Sequence, residues 1–198
     1  MFHTAGPAVR GALATLASLA LVAALGACSD EGSDSEDAAR PAGTEEAAPG
    51  IPTTATIGKV SGRLERKSRA RLRRQVTHAV DRWIDAAYVT GDYPRSDFGD
   101  AFQVFSKDAA ALARRDKRLM SNAALGDRID TVTATARKLW IDVLATQGRA
   151  VGVTGRFVLV LDLDGEVHRT DRIAGRLFLS QQRGWQVFGY DVKRGRVA

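Results

Sequence analysis

A helical spacing of apolar residues begins at Leu72 and continues for almost twenty positions. Residues three or four apart lie on one face of an α-helix, so this pattern predicts an amphipathic helix that runs to about Thr90. Gly91 follows directly and is placed to end the helix. The apolar face consists of Leu72, Val76, Ala79, Val80, Trp83, Ile84, Ala87 and Tyr88.

The next segment, GDYPRSDFGDAFQVF, is interrupted by glycine and proline and therefore predicts shorter elements. Phe98, Phe102 and Phe105 have the spacing of one short helix that contacts the core. Ser106 is a favoured N-cap residue, so a further helix is expected from 107 to 114, with a second helical stretch that reaches about Leu125.

Beyond Gly126 the spacing of apolar residues changes from helical to alternating. Four segments rich in Val, Thr and aromatic residues alternate with period two, which is typical of β-strands. Short turns join them, including Asp164-Gly165, so neighbouring segments should pair as an antiparallel meander. The chain is therefore predicted to be an α+β protein, with N-terminal helices packed on an antiparallel sheet of about four strands. The four segments are 132–145, 149–163, 166–180 and 184–192.

The chain starts with a different pattern, an uncharged apolar run from Gly11 to Ala27 that follows Arg10. A positive residue before a short apolar run is typical of an export signal, and the run is shorter than the roughly 20 residues of a membrane-spanning helix. It ends on the only cysteine of the chain. The segment resembles the lipobox of bacterial lipoproteins, in which small residues separate a leucine from the cysteine: Leu25, Gly26, Ala27 and Cys28.

This resemblance implies that residues 1–27 are a lipoprotein signal peptide and that Cys28 is the mature N-terminus, with a diacylglyceryl group on its sulfur. Two acyl chains hold a protein on a bilayer, whereas one chain binds reversibly. We therefore expect Cys28 to anchor the protein on the outer face of the cytoplasmic membrane. Three alternatives stay open: a cleaved signal with an incidental cysteine, an uncleaved membrane helix, and a cytosolic protein with an apolar start.

Charge separates the remainder of the chain into two parts. Residues 28–55 contain no aromatic residue, and seven acidic residues against one arginine give them a net charge of −6. Such a segment cannot bury enough apolar surface to fold, so it is predicted to be a disordered acidic tether. Residues 56–198 carry 27 Lys and Arg against 16 Asp and Glu, a net charge of +11, and have the size of a single domain.

The basic charge is concentrated directly after the tether, in the stretch SGRLERKSRARLRR. Three interpretations remain: contact with anionic lipid headgroups, contact with another polyanion such as a wall polymer or an acidic partner protein, or a solvated helix end. Nucleic acid is not an expected partner of an exported protein. The basic residues are Arg63, Arg66, Lys67, Arg69, Arg71, Arg73 and Arg74.

The order of elements and the closing segment GWQVFGYDVKR resemble the nuclear transport factor 2-like cone fold. The resemblance spans roughly residues 68–194 and is in particular to exported actinobacterial members, which include proteins associated with mammalian-cell-entry transport systems. It implies a curved sheet and helices around a pocket, which some members use for catalysis and many use only as a core or a partner surface. The fold alone therefore does not decide the function.

Few residues could carry chemistry in such a pocket. Tyr88, Asp142 and Tyr190 are the candidates, because a cone-fold enzyme would need a carboxylate with a proton-transfer partner. Asp142 shares a strand face with Trp140 and Leu144 and could point inward. The alternative is an ion pair with an arginine on the next strand, such as Arg156. Trp83, Trp140, Trp185, Phe157, Phe178 and Phe188 are expected to pack in the core.

Other catalytic arrangements are not indicated by the sequence. His78 falls on the polar face of the predicted helix and His168 lies just past a turn. The histidines and carboxylates have no recognisable metal-ligand spacing, and no phosphate loop or nucleophile elbow occurs. We therefore expect no metal, no cofactor and no catalytic residue.

These patterns predict an exported lipoprotein with a non-enzymatic binding or scaffold domain, accessory to a membrane or cell-wall assembly. The partners implied are the membrane, through the lipid anchor, and a protein of the cell envelope. Two alternatives are a small lyase, isomerase or hydrolase that uses the pocket candidates, and a protein that self-associates through its sheet.

Overall fold

The computed structural model of this α+β protein describes residues 50 to 197. The predicted signal peptide, the lipobox with Cys28, and most of the predicted tether lie outside these residues. Thr54 and Ala55, the last two residues of the predicted tether, already belong to the first strand.

Along the chain, the helices follow the first strand and precede the second. Strand β1 (Thr54–Ser61) is followed by helix α1 (Arg66–Ile84), a π-helical turn (Asp85–Val89) and a 3-10 turn (Gly99–Phe102). Helices α2 (Lys107–Arg115) and α3 (Lys117–Met120) and a second 3-10 turn (Gly126–Arg128) come next. Four long strands complete the domain: β2 (Thr131–Thr146), β3 (Arg149–Asp164), β4 (Arg169–Gln181) and β5 (Trp185–Arg196).

The sheet has five strands in the order β1-β2-β3-β4-β5. The meander β2 to β5 is antiparallel, as predicted from the alternating segments. The prediction of four strands and of helices at the N-terminus is wrong, because β1 precedes the helices and pairs parallel to β2. A parallel pair needs a long crossover connection, and the helices supply it.

Strand β1 is weakly marked in the sequence. Ala55 and Ile57 pair with the inward-facing Leu139 and Ile141, but the alternation is lost at Gly58 and Lys59, where the register with β2 shifts. The strand ends at Gly62, whose φ of 95° is open to glycine and disfavoured for other residues. A Cβ atom at this position would also lie 2.0 Å from the carbonyl oxygen of Ala145.

Helix α1 begins at Arg66, six residues before the predicted start, so the basic stretch forms its first turns. The predicted apolar face is confirmed, because its side chains are buried against the sheet. Ser106 is confirmed as an N-cap residue and accepts a hydrogen bond from the backbone N–H of Ala109 at 3.4 Å.

The two faces of the sheet differ. Alternate residues of β2, beginning with Leu139, Ile141 and Val143, are buried beneath the helices. Trp140, Asp142 and Leu144 have the opposite orientation and lie on the face that no helix of the described residues covers. Register shifts interrupt the β1–β2, β2–β3 and β4–β5 ladders. Such bulges bend strands and increase their twist.

Two arginines join the sheet to the helices. Arg137 of β2 is 8% exposed and lies 3.0 Å from Asp81 and 2.8 Å from Asp85, which belong to α1 and the π-helical turn. Arg194 of β5 contacts Asp171 of β4, which is 1% exposed, and donates to the carbonyl oxygen of Ser121, directly after α3. Buried ions require partners, so these pairs fix the helices and the meander in one arrangement.

Candidate functional site

The space between helices and sheet is filled by aromatic rings. Trp83 of α1 lies at the centre and makes edge-to-face contacts with Tyr88, Phe105 and Phe157 at centroid distances of 5.3 to 5.9 Å. Its indole N–H donates to the carbonyl oxygen of Met120 at 3.2 Å. This cluster leaves the space between α1 and the sheet filled by side chains.

The three pocket candidates are not brought together as one catalytic site. Tyr88 is fully buried, and its hydroxyl donates to the carbonyl oxygen of Leu119. Tyr190 donates to a carboxylate oxygen of Asp116 at 2.7 Å. Asp142 lies on the opposite face of the sheet from both tyrosines, so the interpretation that it points into the pocket is wrong.

The alternative prediction for Asp142 is confirmed. Its carboxylate lies 3.2 Å from Nε of Arg156 on the neighbouring strand, and it also accepts the backbone N–H of Lys59 at 2.9 Å. Gly58 makes this contact feasible, since a Cβ atom there would meet the Asp142 carboxylate at 2.3 Å. Asp142 therefore holds the end of β1 against β2.

Burial raises the pKa of the Tyr88 phenol far above its ordinary value of 10.0, and the nearby Arg194 guanidinium only partly opposes this effect. Partial burial, followed by the hydrogen bond to the Asp116 carboxylate, also raises the pKa of Tyr190. Both phenols therefore remain protonated at neutral pH and serve as hydrogen-bond donors. Neither has the lowered pKa expected of a catalytic base.

The raised pKa of Tyr88 predicts that the folded chain becomes less stable at alkaline pH. Above pH 10 the unfolded chain loses this proton and the folded chain keeps it, so the free energy of unfolding should fall as pH rises, by up to about 1.4 kcal/mol per pH unit. Tyr88→Phe should be less stable than the parent chain at pH 8, because the Leu119 carbonyl loses its donor, and should show a shallower alkaline decline. Urea unfolding between pH 8 and 11 measures both effects. Equal slopes in the two proteins would contradict the assignment.

His78 and His168 are exposed, as their sequence positions predict. His168 pairs with Asp164 at 2.9 Å, and this hydrogen bond lowers the pKa of the carboxyl. Within residues 50 to 197, no cluster of three or more His, Cys, Asp or Glu side chains is placed to hold a metal ion. No helix of the same residues is long and apolar enough to cross a bilayer.

The expected core role of the aromatic residues is only partly confirmed. Trp83, Phe157 and Trp185 are buried. Trp140 and Phe178 are half-buried on the outer face of the sheet, and Phe188 is 55% exposed there, so its predicted place in the core is wrong. Both strand faces carry large apolar residues, so alternation alone did not distinguish them.

Phe178 and Phe188 border a concave site on the outer face, which we call the sheet groove. It has a volume of about 310 Å³ and crosses all five strands at the end that carries the β2–β3 turn. Leu144 and Phe188 are each 55% exposed, and the Phe178 ring lies 6.4 Å from that of Phe188. The polar and apolar side chains around it include Lys59, Asp142, Leu144, Thr154, Phe178 and Phe188.

All seven residues of the basic stretch are exposed, as the solvated and polyanion interpretations both require. Arg69 donates through Nε to the carbonyl oxygen of Leu64 at 2.9 Å. None of the seven forms an ion pair with a carboxylate of the described residues. The seven side chains are therefore free to contact an anionic group.

The start of α1 is electrostatically unfavourable. The first turn contains no acidic residue, and the side chain of the N-cap residue Glu65 makes no capping hydrogen bond. The N-terminus of a helix carries a partial positive charge, so each nearby cation costs roughly 0.3 to 1 kcal/mol at low ionic strength. An anion bound beside this turn would relieve that repulsion.

A second concave site adjoins this helix, and we call it the Trp185 cleft. It has a volume of about 230 Å³ and lies between α1, the β2–β3 turn and the ends of β4 and β5. The buried indole nitrogen of Trp185 has no hydrogen-bond partner among residues 50 to 197. The polar residues of the cleft are Ser68, Arg71, Gln75, Arg149, Gln181 and Trp185.

Sequence reasoning missed this cleft because its polar residues, from Ser68 to Trp185, are up to 117 positions apart and converge only in the folded chain. It also missed Asp171, for which a signal exists: this charged residue occupies an inward position of β4 in phase with Ile173. A charge at a buried position of a strand indicates a paired ion.

Comparisons with protein families, with curated proteins and with solved structures find no match to this chain.

Proposed function

We propose that this protein is a bacterial, actinobacterial-type lipoprotein that is exported and then anchored by Cys28 to the outer face of the cytoplasmic membrane. Its domain is a non-enzymatic binding or scaffold module, accessory to a membrane or cell-wall assembly. The lipobox resemblance at residues 25 to 28 supports the anchor.

The observation that carries the non-enzymatic role is the aromatic cluster around Trp83. A catalytic cone needs an open interior with a polar pair within hydrogen-bond reach. Here the interior holds packed rings, both tyrosine hydroxyls donate to protein oxygens, and Asp142 lies on the other face. The curved five-stranded sheet with helices on one face is compatible with a cone fold of the nuclear transport factor 2-like type, which we propose for this domain.

We propose the sheet groove as the surface that contacts a protein partner in the envelope. Protein interfaces are enriched in aromatic residues at the centre and have a polar rim. The groove has this composition, with Phe178, Phe188 and Leu144 flanked by Lys59 and Asp142. The basic stretch includes the first turns of α1 and is proposed to face anionic groups.

Crosslinking in intact cells tests the proposed groove. Phe188→Ser and Leu144→Ser should each remove a specific crosslinked product, because they remove exposed apolar contact area. Val151→Ser is the matched control, since Val151 is 46% exposed but does not line the groove. The same crosslinked products in all variants would contradict the proposed surface.

Sedimentation of the purified chain distinguishes a second copy from a different partner. A dimer that Phe188→Ser dissociates would identify the occupant as another copy of this chain. A monomer whose cellular crosslink is lost in Phe188→Ser would identify it as a separate envelope protein.

A further inference from the structure

We infer that the Trp185 cleft is a binding site for a phosphate group. Three features of this cleft carry the inference: Trp185 with its unpartnered indole N–H, two arginines, and a small volume of about 230 Å³. Contact with a lipid phosphate depends on the proposed membrane anchor, whereas phosphate binding itself does not.

The buried indole N–H of Trp185 is the first indication. Trp185 is 7% exposed, and its nitrogen has no acceptor among the described residues. Buried polar groups almost always have partners, and an orphan donor in a well-packed region indicates a water, an ion or a ligand atom. An indole N–H can only donate, so an acceptor such as a phosphate oxygen would satisfy it.

The charge of the cleft favours an anion. Arg71 of α1 and Arg149 at the start of β3 line the cleft, and neither forms an ion pair within residues 50 to 197. Arginine presents several N–H donors in a plane that matches the oxygens of phosphate. No acidic side chain lines the cleft, so nothing there competes with a bound anion.

The remaining polar residues fit the same ligand. Ser68, Arg71 and Gln75 are spaced three and four positions apart and therefore share one face of α1. Gln181 at the end of β4 adds a further amide donor. The volume of about 230 Å³ lies below the usual range for drug-sized ligands and suits a small headgroup or a hydrated phosphate.

The cleft can face the membrane that holds the anchor. The cleft lies near Ser61, the C-terminal end of β1. The predicted tether joins the N-terminal end of this strand, at Thr54. The strand between these ends is about 26 Å long. A chain of about 26 residues spans up to roughly 90 Å when extended, which is long enough to turn the basic end of the domain toward the bilayer.

Nuclear magnetic resonance of the indole N–H tests the site directly. The chain from residue 28 onward, with Cys28→Ser, should give three indole signals from Trp83, Trp140 and Trp185, and Trp185→Phe identifies the third by its loss. Inorganic phosphate and glycerol phosphate should shift the Trp185 signal saturably. The Trp83 signal, which reports an N–H already bonded to Met120, should remain in place.

A charge-matched pair of variants separates the site from general electrostatics. Arg71→Gln with Arg149→Gln should weaken phosphate binding at least about tenfold, because charge-assisted hydrogen bonds are lost. Arg115→Gln with Arg172→Gln removes the same charge from exposed positions outside the cleft and should change binding less than about twofold. An unshifted Trp185 signal, or equal weakening in both double variants, would overturn the inference.

Vesicles distinguish the source of the phosphate. Binding to phosphatidylglycerol vesicles but not to phosphatidylcholine vesicles, lost in Arg71→Gln with Arg149→Gln, would assign the site to lipid headgroups. A shift with glycerol phosphate but no vesicle binding would assign it to soluble or polymeric phosphates. The chain used has no lipid anchor, so these results are independent of whether Cys28 is lipidated in the cell.

Discussion

Cys28→Ala should move the protein from the membrane fraction to the soluble or secreted fraction almost completely. Two acyl chains contribute roughly 0.8 kcal/mol per buried methylene group, so their loss removes nearly all of the membrane affinity of the anchor. The described residues contain no helix that could replace it as a membrane span. Cell fractionation followed by immunodetection measures the distribution.

The matched control for this experiment is a double variant, Arg71→Gln and Arg149→Gln, that retains Cys28. These changes weaken only the proposed headgroup contact, so the protein should stay in the membrane fraction. Membrane retention of Cys28→Ala that persists at high salt would contradict the lipid anchor and favour an uncleaved apolar helix or attachment through a partner.

Asp171→Asn should destabilise the domain by about 3 to 5 kcal/mol. Asp171 is 1% exposed and lies 2.7 Å from Nη2 of Arg194, and its carboxylate also accepts Nη2 of Arg169 at 3.0 Å. Removing one partner of a buried ion pair leaves an uncompensated charge, which is the costly case. Arg194 also donates to the carbonyl oxygen of Ser121 and to Asn122, so the change should loosen the segment after α3.

The same two strands provide the control. Arg176 and Asp191 form a pair at 2.7 Å with side chains that are 54% and 51% exposed. Exposed ion pairs contribute about 0.2 to 1 kcal/mol, so Asp191→Asn should change the free energy of unfolding by no more than this. Denaturant unfolding of both variants gives the comparison. A similar small loss in both would mean that the Asp171 network does not hold the meander.

Local patterns in the sequence were enough to predict α1, its buried face and the four-stranded meander. The helix repeats apolar residues over five turns, and each long strand alternates between short turns, so neighbouring positions carry the information. At the β2–β3 turn, Gln147 and Gly148 both have positive φ values, which is the geometry of a tight hairpin turn.

Features that depend on contacts between residues distant in the sequence could not be predicted from such local patterns. Strand β1 is stabilised by pairing with β2, about 84 positions later, and its own alternation is broken at Gly58. On β2 both faces contain large apolar side chains, so the choice between Leu139 with Ile141 and Trp140 with Leu144 depends on which face the helices cover. The same choice places Asp142 on the outer face, where it pairs with Arg156.

The candidate sites differ in how much the sequence indicated. The lipobox and the basic stretch are continuous segments and are recognisable without a structure. The sheet groove and the Trp185 cleft combine side chains from distant elements, and the orphan indole N–H is visible only when its surroundings are known.

The intact mass of the protein extracted from membranes tests the proposed anchor most directly. We expect a chain that begins at Cys28, lacks residues 1 to 27, and is heavier than the bare polypeptide by a diacylglyceryl group. Alkaline hydrolysis should release its ester-linked fatty acids. A chain that retains residues 1 to 27, or that begins elsewhere with an unmodified Cys28 thiol, would contradict the lipoprotein assignment.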